Sequence, residues 1–198
     1  MGYSNYKNLR QVVDKFDLQV RNSTIIKNVE PLAPSEWLKK SLEYAYLSPL
    51  SNEKVKSERI ISPILTELQA IYKDKLTLFS GEELNVQPED DLNGACDFFF
   101  AAIPEAYLLE APIVSLTEAK DEDMDYGIAQ CAAQMIAARI FNKKKEQPTS
   151  IIWGCSTTAG EWKFLKLEGN LLSINKDSFY INELGVLLGA FHKIFETL

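Results

Sequence analysis

The chain has 198 residues, 46% of them hydrophobic and 25% charged, which fits one sizeable globular domain and excludes a disordered or fibrous protein. A net charge of −7 excludes the basic footprint of a free-standing, tight DNA binder. No apolar run approaches the ~20 residues that span a bilayer, and the opening MGYSNYKNLR has no apolar signal core, so a cytoplasmic protein without membrane contact is expected.

Taken in order, residues 5–20 carry Leu9, Val12, Val13, Phe16 and Val20 at helical spacing. NSTIIKNVEPLAP reads as extended, and Ser35 is the expected N-cap of a helix EWLKKSLEYAYL, with Glu36 favouring its dipole. Residues 1–50 are therefore expected as an N-terminal helical arm on a domain of residues 51–198. A long helix from Ser51 to about Tyr72 follows, with a kink or break near Ser62 because Pro63 interrupts its hydrogen-bond ladder. Advancing about 100° per residue, Glu53 falls within the apolar stripe of that helix, while Glu58 and Glu67 flank it. Strands are expected at Leu76–Ser80, Leu84–Val86, Ala95–Ala102 and Pro112–Lys120, then a helix Asp123–Asn142 and a strand Thr149–Cys155. Further strands at 161–167 and Leu171–Ile174 precede a last helix, Asn182–Glu196. This order describes an α/β fold with a mixed central sheet flanked by helices.

Three cysteines, Cys96, Cys131 and Cys155, lie in apolar segments with no CxxC pair, so buried free thiols in a reducing compartment are expected. With His192 the only histidine, a structural zinc site and most histidine-based catalytic triads are improbable. The compact basic clusters, Lys39-Lys40 and Lys143-Lys144-Lys145, read as solvated helix faces or ends.

The segment from Gly94 to Gln134 is different. Asp97 sits inside an apolar run, and an unpaired buried charge costs several kcal/mol. A second apolar run ends in Glu118-Ala119-Lys120. Side chains two apart on a strand share a face, so Glu118 and Lys120 project together, while Ala119 leaves its carbonyl as a possible ligand. If the strand bearing Asp97 pairs beside this one, two carboxylates converge beside a lysine. Such a set can supply what Mg²⁺ requires, one or two carboxylates plus waters and phosphate oxygens. Lys120 would orient or deprotonate a metal-acidified water, and Gln130 and Gln134, one helical turn apart, could meet phosphate or that water. Taken singly, each residue is explained by a strand-end ion pair or a turn cap; the ordered set is harder to explain that way.

Gly94-x-x-Asp97, Glu118-Ala119-Lys120 and Gln130 together resemble the PD-(D/E)XK nuclease superfamily over residues 53–165. The resemblance implies a restriction-endonuclease-like αβββαβ core, metal ligation by Asp97, Glu118 and the Ala119 carbonyl, Lys120 as the catalytic lysine, and Gln130 at the helix position where many members carry glutamine. Gln130-x-x-x-Gln134 is similar to the Gln-x-x-x-Tyr element of the RecB-like branch, with Gln in place of Tyr, and Cys96 stands where the name motif has Pro. An acid from the first core helix is also implied, Glu58 first and Glu53 second. Expected partners are Mg²⁺ or Mn²⁺ and nucleic acid, DNA in the first instance, in a homo-oligomer or larger complex. The alternative is a catalytically inactive nuclease-fold subunit for binding or assembly.

Overall fold

Strands screened from water on both faces need no polar alternation, and two stretches, 98–101 and 113–119, are buried along their whole length. A computed structural model describing residues 2–198 shows what covers them. The chain begins with α1 (Leu9–Phe16), β1 (Gln19–Ser23), α2 (Glu36–Ala45), α3 (Glu53–Lys56) and α4 (Ser62–Ile71). Then come β2 (Thr77–Ser80), β3 (Phe98–Ala101), β4 (Ile113–Ala119), α5 (Met124–Lys144) and β5 (Ile151–Thr157). The last elements are β6 (Glu161–Glu168), β7 (Leu171–Asn175), β8 (Phe179–Tyr180) and α6 (Leu184–Phe195).

Among the described residues these strands form one eight-stranded mixed sheet, in the order β1-β7-β6-β5-β4-β3-β2 with β8 beside β6. The β1/β7 and β4/β5 pairs are parallel and the others antiparallel. The protein is thus α/β, with helices on both faces. Phe99 joins an apolar cluster under α5 and α1, while its neighbours Phe98 and Phe100 join the opposite cluster under α2, α4 and α6. That alternation is the period-two signature of a strand between two cores.

The single helix expected over residues 5–20 is shorter than its apolar spacing suggests. Asn8 and Gln11 form a capping box that starts α1 at Leu9, and Asp17 adopts a left-handed conformation (φ 49°) that ends it. The chain then gives its backbone to β7, from Gln19 opposite Leu171 to Ser23 opposite Asn175. Residues expected as a helical arm thereby supply one edge of the sheet, while α1 packs on α5 and α2 on α4. The strand expected at Leu84–Val86 does not form. Single bridges, Glu83 to Ala95 and Gln87 to Leu92, close the segment as an irregular hairpin around Pro88 and a left-handed Asp91.

The interruption expected near Ser62 takes the form of a π-helical segment, Ser57–Ile61, between α3 and α4. Ser62 N–H donates to the Ser57 carbonyl, five residues back, just before Pro63, which has no N–H to give. Two buried polar side chains fasten the helices. Glu67 accepts from both the N–H and the hydroxyl of Ser35, each at 2.7 Å, tying the start of α2 to α4. Asn142 near the end of α5 accepts from Ile113 N–H at 2.8 Å and donates to Ile113 O at 2.7 Å, completing the first residue of β4.

Helix α6 approaches the segment before α2 so closely that a Cβ at Gly189 would lie 2.1 Å from the Glu30 carbonyl oxygen and 3.0 Å from Val29 Cγ1. A backbone oxygen cannot rotate away. Gly189→Ala should therefore lower stability by about 1–3 kcal/mol in urea unfolding, and an unchanged unfolding midpoint would contradict this packing.

Candidate functional site

The register of β3 on β4 pairs Phe98 with Thr117, and one further step sets Asp97 opposite Glu118. Asp97 Oδ2 accepts from the Ala119 N–H at 2.8 Å, so the carboxyl stands in for the strand that has just ended. Glu118 Oε1 meets Lys120 Nζ at 2.8 Å, and its Oε2 accepts from Gln134 Nε2 at 2.6 Å. Lys120, held by its own N–H on the Thr157 carbonyl at 2.8 Å, thus lies where β4 and β5 end together. The two apolar strands deliver two acids and a lysine to one sheet end.

Burial decides the electrostatics of this cluster. It pushes the Asp97 carboxyl above its ordinary pKa, against the Ala119 N–H, Lys120 and Glu118, which favour the charged form. Burial, then the Asp97 charge, raises Glu118 to about 7, opposed by Lys120 and Gln134. For Lys120 burial disfavours the ammonium, but Glu118, Asp97 and Glu53 outweigh it and hold its pKa above the ordinary value. One ammonium thus serves two carboxyls, Glu118 buried and Asp97 half-buried, and both hold their protons more tightly than free carboxyls do. In this arrangement Lys120 is a hydrogen-bond donor rather than a base.

Helix α3 and the π-helical segment after it supply the remaining acids, Glu53 and Glu58. Lys56 Nζ meets Asp121 Oδ1 at 2.6 Å and Asp121 O at 2.9 Å, pinning the helix to the turn between β4 and α5. Glu53 Oε2 thereby comes within 3.8 Å of Lys120 Nζ. Glu58 instead faces Lys54 at 3.8 Å, with 63% of its side chain exposed. Both acids line a pocket of about 330 Å³ with Asp97, Ala119 and Ser80. Of the two, Glu53 is the one in contact with the lysine.

Helix α5 closes the other side. Asp123 caps it by accepting from Tyr126 N–H at 2.9 Å. A Cβ at Gly127 would fall 2.2 Å from Ser156 Oγ and 2.9 Å from Lys120 Cγ, so only glycine lets the helix lie directly on the lysine stem. Gln134 is on Glu118, whereas Gln130 donates to Tyr126 Oη at 3.0 Å, one turn back, rather than to either acid. Tyr126, Ser156 and Gly127 escaped the sequence analysis. The signal for Tyr126 was available, because Tyr126, Gln130 and Gln134 recur every fourth residue along one helix face.

The donor set suits a hard cation such as Mg²⁺ or Mn²⁺. Asp97, Glu118 and Glu53 carry three carboxylates against one ammonium, all donors are oxygen, and the pocket leaves room for waters. Three buried polar atoms beside the acids, Gln130 Oε1, Gln134 Oε1 and Ser156 Oγ, also have no hydrogen-bond partner among the described residues, which calls for an explanation such as a ligand site. Among those residues, however, no three or more Asp, Glu, His or Cys side chains are gathered closely enough to form a ready-made metal cluster. Each Glu118 oxygen already accepts one hydrogen bond, from Lys120 and from Gln134, so a cation would take a remaining lone pair or displace one of these donors. No family model and no curated protein matches the chain.

A carboxyl whose folded pKa exceeds its unfolded value contributes stability at low pH and loses it as pH rises. With Glu118 raised from 4.5 to about 7, the protein in EDTA should lose stability, on the order of a few kcal/mol, between those two pH values. Urea unfolding across that range measures the slope. Glu118→Gln should flatten it, and an equal slope in the variant would show that other groups cause it.

Proposed function

We propose that the chain is a Mg²⁺- or Mn²⁺-dependent nuclease that hydrolyses phosphodiester bonds of nucleic acid, DNA in the first instance. The observation that carries this reading is the Asp97–Glu118 pair sharing one lysine at the ends of adjacent strands, beside an open pocket. The element order supports it. A helix (α3–α4), the antiparallel strands β2, β3 and β4, helix α5 and the parallel strand β5 follow the αβββαβ sequence implied by the resemblance to PD-(D/E)XK nucleases.

In this reading Asp97, Glu118 and the Ala119 carbonyl hold the cation, with Glu53 nearer than Glu58 as the helix acid. When bound, the cation lowers the pKa of a water and offsets charge on the phosphodiester. Lys120, kept as an ammonium, would donate to a phosphate oxygen and stabilise the negative charge that develops there. Gln134 keeps one Glu118 oxygen fixed while Lys120 exchanges partners. Three free, buried thiols, Cys96, Cys131 and Cys155, suit the cytoplasm, and no helix among the described residues is long and apolar enough to cross a membrane.

A catalytically inactive binding or assembly subunit is the second reading. It draws on one feature, the engagement of both Glu118 oxygens by Lys120 and Gln134. Cleavage of labelled single- and double-stranded DNA and RNA in Mn²⁺ or Mg²⁺ separates the two. Lys120→Ala and Asp97→Asn should each slow cleavage by roughly 10²–10³-fold while circular dichroism stays that of the parent. Cleavage that survives either change, or no cleavage of any strand with either metal, would sink the nuclease reading.

A further inference from the structure

Lys7, just before α1, lies beside the site without belonging to it. Its Nζ donates to Tyr126 Oη at 3.2 Å and sits 4.8 Å from the centre of that ring. Lys120 Nζ lies 5.6 Å from the same ring centre. Two ammonium groups are therefore held on one aromatic ring, which draws cations but does not cancel their repulsion. Lys120 is offset by Glu118 and Glu53. Lys7 forms no ion pair among the described residues, so its charge is uncompensated.

The arrangement is built rather than incidental. Tyr126 Oη gives its proton to the Ser4 carbonyl at 3.1 Å, leaving its lone pairs for Lys7 and for the buried Gln130. The hydroxyl is thus fixed as an acceptor, and it holds Lys7 against the first turn of α5. Gln130 Oε1, buried at the same place, has no partner among the described residues.

We infer that Lys7, Tyr126 and Lys120 form a phosphate subsite adjoining the Asp97–Glu118 pair, which takes a phosphate group of a nucleic acid strand next to the bond being cut. The identity of the phosphate rests on the nuclease reading; the subsite itself rests on the lysine pair. The same chemistry is offered by a 5′-terminal phosphate and by an internal phosphodiester. On an acidic protein such a local cation supplies the attraction that the overall charge does not.

The test is binding of fluorescent single-stranded oligonucleotides, with 5′-phosphate or 5′-hydroxyl ends, in EDTA to the full chain carrying Asp97→Asn to slow hydrolysis. Adding Lys7→Gln should weaken binding and reduce the slope of log affinity against log salt by about 0.7, the value for one lost single-strand phosphate contact. Lys7→Arg should restore the slope. Dependence on Lys7 confined to the 5′-phosphate strand identifies a terminal phosphate, and equal dependence on both strands identifies an internal one. An unchanged slope in Lys7→Gln, or no binding of either strand by the parent, overturns the inference. Cleavage by the wild-type chain is scored separately. Cleavage without Lys7 dependence removes only the subsite, whereas Lys7-dependent binding without cleavage removes only the nuclease.

Discussion

Two carboxyls, Glu118 buried and Asp97 half-buried, set against one ammonium fix the terms for the rest of this protein. Asp97, at the pocket wall, stands opposite the buried Glu118, and Lys120 can neutralise only one of them at a time. In low dielectric that imbalance must be met by a proton, a cation or a rearrangement. Gln134, the Ala119 N–H and Glu53 share in the compromise, and each comes from a different element. Removing any one of them changes the balance among the Asp97 carboxyl, the Glu118 carboxyl and the Lys120 ammonium.

The architecture explains how such an imbalance is tolerated. Strands β4 and β5 are buried along almost their whole length and end together, so the polar cluster is confined to the sheet end. Cores on both faces hold the strands, while Asn142 and Glu67 tie α5 and α2 into place. The cost of the acids is thus carried by a rigid scaffold. The contact of α5 on the Lys120 stem at Gly127 leaves little room for that scaffold to relax.

Much of this was legible in the sequence, because the strongest signals were energetic. An acid in an apolar run and an acid–lysine pair two residues apart identify a strand end and its face without reference to other segments. The α/β order and the helix start at Ser35 were likewise local signals. What was hidden depended on distant partners. Nothing near Gln19–Ser23 announces pairing with Leu171–Asn175, and apolar spacing carried the helix expectation past the capping at Asn8 and the left-handed Asp17. The preference for Glu58 over Glu53 rested on position near the helix start, whereas the helical wheel alone placed Glu53 in phase with the apolar stripe, and Glu53 is the acid found 3.8 Å from Lys120. Glu58 lies inside the π-helical segment Ser57–Ile61, where a constant advance per residue does not hold.

That segment also makes the site sensitive to spacing. The surplus residue in the turn acts as a phase shifter, rotating α3 relative to α4 by about 100° compared with an uninterrupted helix. Trimming Ile60 from Ser57–Ile61 would leave every acid and Lys120 present, yet it would swing Glu53 around the helix axis and away from Lys120. The acid at this sheet end is therefore specified as much by chain length as by residue type. A search for related chains keyed to aligned identities alone would pass over those that solve the same geometric problem with the acid one residue earlier or later.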